Sequence, residues 1–137
     1  AELRNLKNVI FLDRQPKDRM PAVWSLCDIA LVHLKNSPVF EEVIPSKMFE
    51  AMAMGLPILL ASPPGEASDI LAADEAGIHV PAEDPEALAN SVLSLYKDTK
   101  FLSALAAASL AAAPHHTREA QAKEMLSVLK IAVEEGV

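Results

Sequence analysis

The sequence predicts an α/β domain of the Rossmann-like, doubly wound type, in which a parallel sheet is covered by helices on both faces. Short, continuous apolar runs alternate with segments of helical periodicity along the first part of the chain. Continuous apolar strands are typical of parallel sheets that are buried on both faces, whereas half-exposed strands alternate apolar and polar residues. Regular alternation of strand and helix then favours the doubly wound arrangement.

The predicted strands are apolar runs without acidic residues, lysine or arginine, and they cover residues 8–12, 29–34, 57–61 and 77–80. Residues 20–27 carry a proline near their start and apolar residues at helical spacing, so they predict the first crossover helix. The second crossover helix is predicted over residues 45–55, because Pro45 suits a first turn and Gly55 suits a helix end. A third helix is predicted over residues 66–73, after a Pro-Pro-Gly breaker.

From Asp84 onward the pattern is helical only. Asp84 suits an N-cap and Pro85 a first turn, and Leu88, Val92 and Leu95 then repeat at helical spacing. Two more helices are predicted over residues 99–112 and 117–134. Together these elements predict one domain over residues 1–137, with an α/β part over about 1–82 and C-terminal helices over about 84–135.

Composition excludes several classes of partner. A net charge of −7 with scattered basic residues argues against nucleic acid or an anionic lipid surface as a bulk electrostatic partner. The longest apolar runs are shorter than the roughly 20 residues of a membrane span. The single Cys27 fits a reducing compartment, so we expect a cytoplasmic location, and the histidines lack metal-ligand spacing with one another, so we expect no metal site.

The candidate site lies around the start of the helix predicted over residues 45–55. Glu42 precedes this helix and Glu50 lies within it. Free N–H groups near Ser46 and Lys47 would face the crevice beyond the strand ends, where the helix dipole favours an anion such as a diphosphate. Two carboxylates would repel that anion, but they accept hydrogen bonds from the vicinal hydroxyls of ribose or a sugar. The combination predicts a nucleotide-sugar site.

Several residues near this site have a structural interpretation as well as a functional one. Ser46 is either a helix cap or a ligand, and Lys47 is either an exposed helix lysine or a phosphate ligand. His33 ends a predicted strand that faces the crevice. It is either a packed structural group or a residue of the site. Gly65 precedes a helix start, where its backbone would lie beside a phosphate or simply lead into the helix.

The stretch from Glu42 to Pro57 resembles a known signature. It is similar to the motif of family 4 glycosyltransferases, also called group 1. That motif is a glutamate, seven residues, Glu-Ala-Met-Ala, one residue, Gly, one residue and Pro. The flanking segments are similar too, at residues 8–12, 27–32, 64–66, 77–81 and 84–89. The resemblance covers nearly the whole chain and implies the carboxy-terminal, donor-binding domain of a two-domain GT-B enzyme.

The resemblance also implies roles for individual residues. Glu42 would face the hydroxyls of the donor sugar as the candidate catalytic residue, and Glu50 would hold the ribose. Backbone amides of residues 43–47 would touch the sugar and the diphosphate, and the base would lie near the end of the first strand. The implied donor-binding residues are Glu50, Val43, Ile44, Ser46, Lys47, Leu12 and Arg14. The implied substrate is a UDP- or GDP-linked sugar, with no resident cofactor and no bound metal.

One segment departs from the commonest family pattern, which has Gly-Phe-Gly where this chain has Val43, Ile44 and Pro45. Proline-serine-lysine versions resemble a branch of bacterial surface-polysaccharide transferases. The resemblance implies retaining transfer, and it places the family's basic pair, two further strands and an acceptor-binding domain upstream of residue 1. We therefore expect this piece to bind the donor without catalysing transfer alone. The acceptor glycan or lipid-linked sugar would bind the upstream part, which would bring the protein to the inner membrane.

Two alternatives remain open at this point. A GT-B-like nucleotide-sugar epimerase shares the fold and the donor site, although the helix signature and the Asp84-Pro85 segment argue against it. A non-catalytic binding module would instead present an exposed sheet edge to a partner or to a second copy of the chain. The coding sequence upstream of residue 1 distinguishes these alternatives from a transferase.

Overall fold

A computed structural model describes residues 6–135 and has a parallel three-stranded sheet with helices on both faces. The strands are β1 (Ala30–His33), β2 (Ile58–Ser62) and β3 (Gly77–Pro81), in the order β1-β2-β3. The helices are α1 (Met20–Trp24), α2 (Ser46–Ala53), α3 (Glu66–Ala73), α4 (Pro85–Lys97), α5 (Thr99–Ala112) and α6 (Arg118–Glu135). Three 3₁₀ turns cover Lys17–Arg19, Pro38–Phe40 and Ala113–His116. This architecture confirms the predicted fold class.

The central strand β2 is buried along its whole length, as its continuous apolar sequence predicts. Ile58 pairs with Ala30 on one side and with Gly77 on the other, so both neighbours run parallel to it. Side chains from alternate positions of β1 and β2 pack with α2 and α3 in one core cluster. Leu59 and Ala61 point to the opposite face, against Val80 and the start of α4. The sheet is therefore covered on both faces.

The strand predicted over residues 8–12 is wrong. This segment is irregular, and its apolar side chains are exposed, with Ile10 81% and Phe11 74% accessible. A strand needs a neighbour that takes up its backbone hydrogen bonds, and no described strand lies beside this segment. The edge strands of the described sheet are β1 and β3.

The other predicted elements agree with the structure to within a few residues. α1 ends at Trp24 rather than at residue 27, because the backbone N–H groups of Leu26 and Cys27 bond three residues back and close a turn. α3 and α5 have the predicted bounds. α6 begins one residue late, since Thr117 is its cap and accepts a hydrogen bond from the Ala120 N–H at 3.1 Å.

The first of the C-terminal helices, α4, is capped as the sequence predicts. The Asp84 carboxylate accepts a hydrogen bond from the Ala87 N–H at 2.9 Å and so caps α4. Leu95 of α4 is fully buried, whereas Val92 on the same helix is 43% exposed. α5 packs against α2, and the buried Ser109 hydroxyl donates to the Leu56 carbonyl at 2.7 Å. Across residues 6–135, no helix is long and apolar enough to cross a membrane.

Candidate functional site

Helix α2 has one buried face and one exposed face. Met48, Ala51 and Met52 have no accessible surface and fix the helix against the sheet. The exposed residues are Ser46, Lys47, Glu50, Ala53 and Met54. Because an α-helix has 3.6 residues per turn, Ser46 and Glu50 lie one above the other on the exposed face.

The helix begins directly after Pro45, which is extended and holds the N-cap position. The first helical bond runs from the Met48 N–H to the Pro45 carbonyl at 3.0 Å. The N–H groups of Ser46 and Lys47 belong to the first turn, which has no acceptors within the helix. Ser46 is thus inside the helix, and its interpretation as the helix cap is wrong.

A first groove joins this helix start to the carboxyl end of β1, and we call it the strand-end groove. Its volume is about 300 Å³, and it is lined by Leu31, Val32, His33, Leu34, Pro45, Ser46 and Lys47. The structure therefore brings the two predicted residues Ser46 and Lys47 to the edge where parallel α/β sheets bind ligands. The exposed His33 lies in the same groove.

A second groove of about 300 Å³ lies beside Glu50, and we call it the Glu50 groove. Its other lining residues come from the end of α2 and from the segment around α1, and they are Lys17, Met20, Pro21, Trp24, Ala53 and Met54. The Trp24 indole N–H is buried and has no hydrogen-bond acceptor in the part of the chain that the structure describes. The sequence analysis did not single out Trp24, Lys17 or Met20 as site residues.

The segment predicted to lie near the base of the nucleotide does not line the Glu50 groove. Leu12 and Arg14 are exposed residues of irregular backbone, and neither lines the Glu50 groove. Glu42 is also exposed and lines neither groove, whereas Val43 and Ile44 are half-buried. The structure thus groups Ser46 with Lys47 and places Glu50 beside α1, one helical turn further along.

The loop that carries Glu42 is anchored at the start of α3. The Glu41 carbonyl accepts a hydrogen bond from the Glu66 N–H at 3.1 Å. A Cβ atom on Gly65 would lie 2.1 Å from that carbonyl oxygen, so only glycine permits this approach. The sequence predicts Gly65 beside a phosphate or at a simple helix entry, and it does not predict this contact with the Glu41 backbone. The Pro-Pro-Gly sequence before a helix was the available signal for a close backbone approach.

Two of the remaining histidines, His79 and His116, have separate partners. His79 Nε2 lies 3.0 Å from the Ser62 carbonyl oxygen, and His116 Nε2 lies 2.6 Å from Asp74 Oδ2. Within the described residues, no three His, Cys, Asp or Glu side chains come together as a possible metal site.

A parallel sheet whose strand end opens onto a helix start, with helices on both faces, defines a Rossmann-like α/β domain. The chain belongs to the glycosyl transferases group 1 family, whose model matches residues 1–111. This match confirms the resemblance drawn from Glu42, Glu50 and their surroundings. A comparison with curated proteins found no significant match.

Among solved structures, the chain is similar to sucrose-phosphate synthase from Thermosynechococcus elongatus. The TM-score is 0.73 at 20% sequence identity, over 92% of this chain. Such similarity at low identity supports the fold, which matches part of a GT-B enzyme. The chain spans only 30% of the length of that protein.

Proposed function

We propose that the chain is the donor-binding domain of a retaining glycosyltransferase and that it binds a nucleoside-diphosphate sugar along the exposed face of α2. The observation that carries this proposal is the placement of Ser46 and Glu50 on one exposed helix face, each beside its own groove. The diphosphate would occupy the strand-end groove, and the nucleoside would occupy the Glu50 groove.

The dimensions of α2 suit such a ligand. Four residues separate Ser46 from Glu50, which corresponds to about 6 Å along the helix axis. This length is comparable with the reach from the 5′-phosphate of a nucleotide to its ribose hydroxyls. One ligand is therefore able to contact the helix start and Glu50 together.

The charges suit the two ends of the ligand differently. First-turn N–H groups and the helix dipole favour the diphosphate, and the exposed Lys47 ammonium adds a positive charge at the same end. In residues 6–134 the Glu50 carboxylate has no hydrogen-bond or ion-pair partner, so it is available to accept from the 2′- and 3′-hydroxyls of ribose. The apolar sides of Met20 and Trp24 suit the flat uracil or guanine of a UDP- or GDP-linked donor.

The sugar would extend from the diphosphate toward the loop that carries Glu42, Val43 and Ile44. Glu42 would accept hydrogen bonds from the sugar hydroxyls in the role assigned from the family motif. Stabilisation of the leaving diphosphate by the start of α2 is the main catalytic contribution of this domain, and it needs no metal. Because the chain spans a minor part of its structural neighbour, we place the acceptor site, for a glycan or a lipid-linked sugar, in a further domain.

We place the reaction at the cytoplasmic side of the inner membrane, in the synthesis of a surface polysaccharide or glycoconjugate. This assignment rests on the Pro45-Ser46-Lys47 version of the motif.

A second role follows from the free edge of β1, where Leu31 is 48% exposed. Unpaired strand edges and exposed apolar side chains favour association with another copy or another domain. Sedimentation of the chain over a range of concentrations tests this role, and a monomer at every concentration would exclude self-association.

Calorimetric titration of the chain with UDP, GDP, ADP and their sugars tests the donor site. We expect one nucleotide series to bind, and Glu50→Gln to weaken that binding about 10- to 100-fold, as loss of hydrogen bonds to a charged group does. Glu86→Gln is the matched control, because Glu86 is an exposed carboxylate in the first turn of α4. Equal affinity of the wild type and Glu50→Gln would remove Glu50 from the site.

A further inference from the structure

The 3₁₀ turn Ala113–His116 contacts α2, α5 and α6. At its end, the His116 imidazole stacks on the Phe49 ring, with the ring centroids 4.9 Å apart and the planes inclined by 22°. Phe49 immediately precedes Glu50 on α2. A residue far along the chain is therefore in direct contact with the helix that carries the ribose carboxylate of the proposed function.

The other side of the imidazole is held by α3. His116 Nε2 lies 2.6 Å from Asp74 Oδ2, and the two side chains are only 18% and 20% exposed. Asp74 is the C-cap of α3, where the helix dipole disfavours a negative charge. A carboxylate in this unfavourable place is compensated by a donor, and His116 is that donor. The ring is thus held between α3 and α2.

The buried face of α2 does not by itself define the rotation of the helix sharply. Two of its three fully buried side chains are Met48 and Met52, and methionine adapts to cavities of irregular shape through three rotatable bonds. Phe49 is stiffer, because its side chain has only two torsions. The His116 ring on which it stacks is fixed by Asp74. A rotation of α2 that moved Glu50 would also break the stacking of Phe49 on His116.

We propose that His116 is a positioning residue of the nucleotide site: held by Asp74, it stacks on Phe49 and so sets the direction in which Glu50 points. This inference rests on the proposed function, because it assigns the nucleotide contact to Glu50. It adds a residue from outside the stretch matched by the family model, which ends at residue 111.

A double-mutant cycle with Glu50 tests the proposal. We expect His116→Ala to weaken binding of the preferred nucleoside diphosphate about 3- to 30-fold when Glu50 is present. In the Glu50→Gln background, the same change has no further effect, while phosphate contacts at the start of α2 keep binding measurable. Equal losses in both backgrounds, or a lower melting temperature without any loss of affinity, would overturn the positioning role.

Two further variants keep the test decisive if His116→Ala does not fold. His116→Phe retains a ring against Phe49 but loses the bond to Asp74, and we expect it to keep more affinity than His116→Ala. His116→Gln retains a donor for Asp74 but lacks the ring, and we expect it to reproduce the loss. The reverse order of affinities would contradict an action through Phe49.

A measurement on the free chain, without nucleotide, tests the role of His116 independently of the proposed function. In ¹H–¹⁵N spectra of the free chain, His116→Gln should shift the amide signals of Phe49 and Glu50 and leave those of α4 in place. If the wild type binds no nucleotide, the proposed function fails. The spectra alone then decide whether His116 sets the orientation of α2. Unchanged signals of Phe49 and Glu50 would overturn the inference.

Discussion

Substitution of Gly65 by alanine is expected to disturb the sugar end of the proposed site selectively. The new Cβ would lie 2.1 Å from the Glu41 carbonyl oxygen, whereas real Cβ contacts essentially never fall below 3.0 Å. One of the two segments must therefore move by about 1 Å. The Gly65 backbone is fixed to the start of α3, because its N–H donates to the buried Ser68 hydroxyl at 2.9 Å. The loop of Glu41 and Glu42 is thus the part that moves.

The displacement has two measurable costs. Loss of the bond from the Glu66 N–H to the Glu41 carbonyl, together with overpacking, is expected to lower the free energy of unfolding by about 1–3 kcal/mol. Movement of Glu42 by about 1 Å removes contacts with the donor sugar, so affinity for the nucleotide-sugar should fall about 10-fold. Affinity for the same nucleoside diphosphate without the sugar should stay within about 2-fold, since Ser46 and Glu50 do not move.

Paired calorimetric titrations with the nucleotide-sugar and the nucleoside diphosphate measure this selectivity. Gly55→Ala is the control, because Gly55 has a φ of +67° and its Cβ would meet only ordinary contacts with Leu110. It should lower stability by about 1 kcal/mol through backbone strain and leave the ratio of the two affinities unchanged. Equal weakening of both ligands by Gly65→Ala would refute the placement of the sugar beside Glu42.

Two further predictions concern α5, which packs against α2, and α4, which packs on the opposite face of the sheet. Ser109→Ala removes the buried donor of the Leu56 carbonyl and should lower the free energy of unfolding by about 1–3 kcal/mol, measured by urea titration. Ser103→Ala on the same helix removes an exposed hydroxyl and should change it by less than about 0.5 kcal/mol; similar effects of both would contradict this account. Asp84→Ala should cost about 0.5–2 kcal/mol by removing the cap of α4. Asp84→Asn keeps an acceptor and should retain most of that stability in thermal melts, and equal losses would argue for charge rather than capping.

Elements whose signal is local were predictable from the sequence. β2 is a continuous apolar run that is buried throughout, and α3 follows a clear breaker. Asp84 and Asp98 each accept from an N–H three residues ahead, as N-caps do, although only Asp84 was predicted in that role. Local chemistry is sufficient for such elements, because their partners lie within one turn of the same segment.

Features that depend on distant partners were not predictable. Residues 8–12 have the composition of a strand, but pairing depends on a neighbour that no local pattern specifies. Gly65 approaches Glu41, and His116 stacks on Phe49, across long separations in the sequence. The motif therefore identified Glu42 and Glu50 as candidates, while the residues that hold their segments in place required the three-dimensional structure.

The central claim is that the exposed face of α2 binds a nucleoside diphosphate, with phosphate at its start and ribose at Glu50. Titration of the ¹⁵N-labelled chain with the preferred nucleoside diphosphate, followed by amide signals, tests it most directly. The account predicts the largest shifts at Ser46 and Lys47, further shifts around Glu50 and Trp24, and none along α4. Saturable binding whose shifts lie along α4 or α5, with Ser46 and Lys47 unchanged, would contradict it.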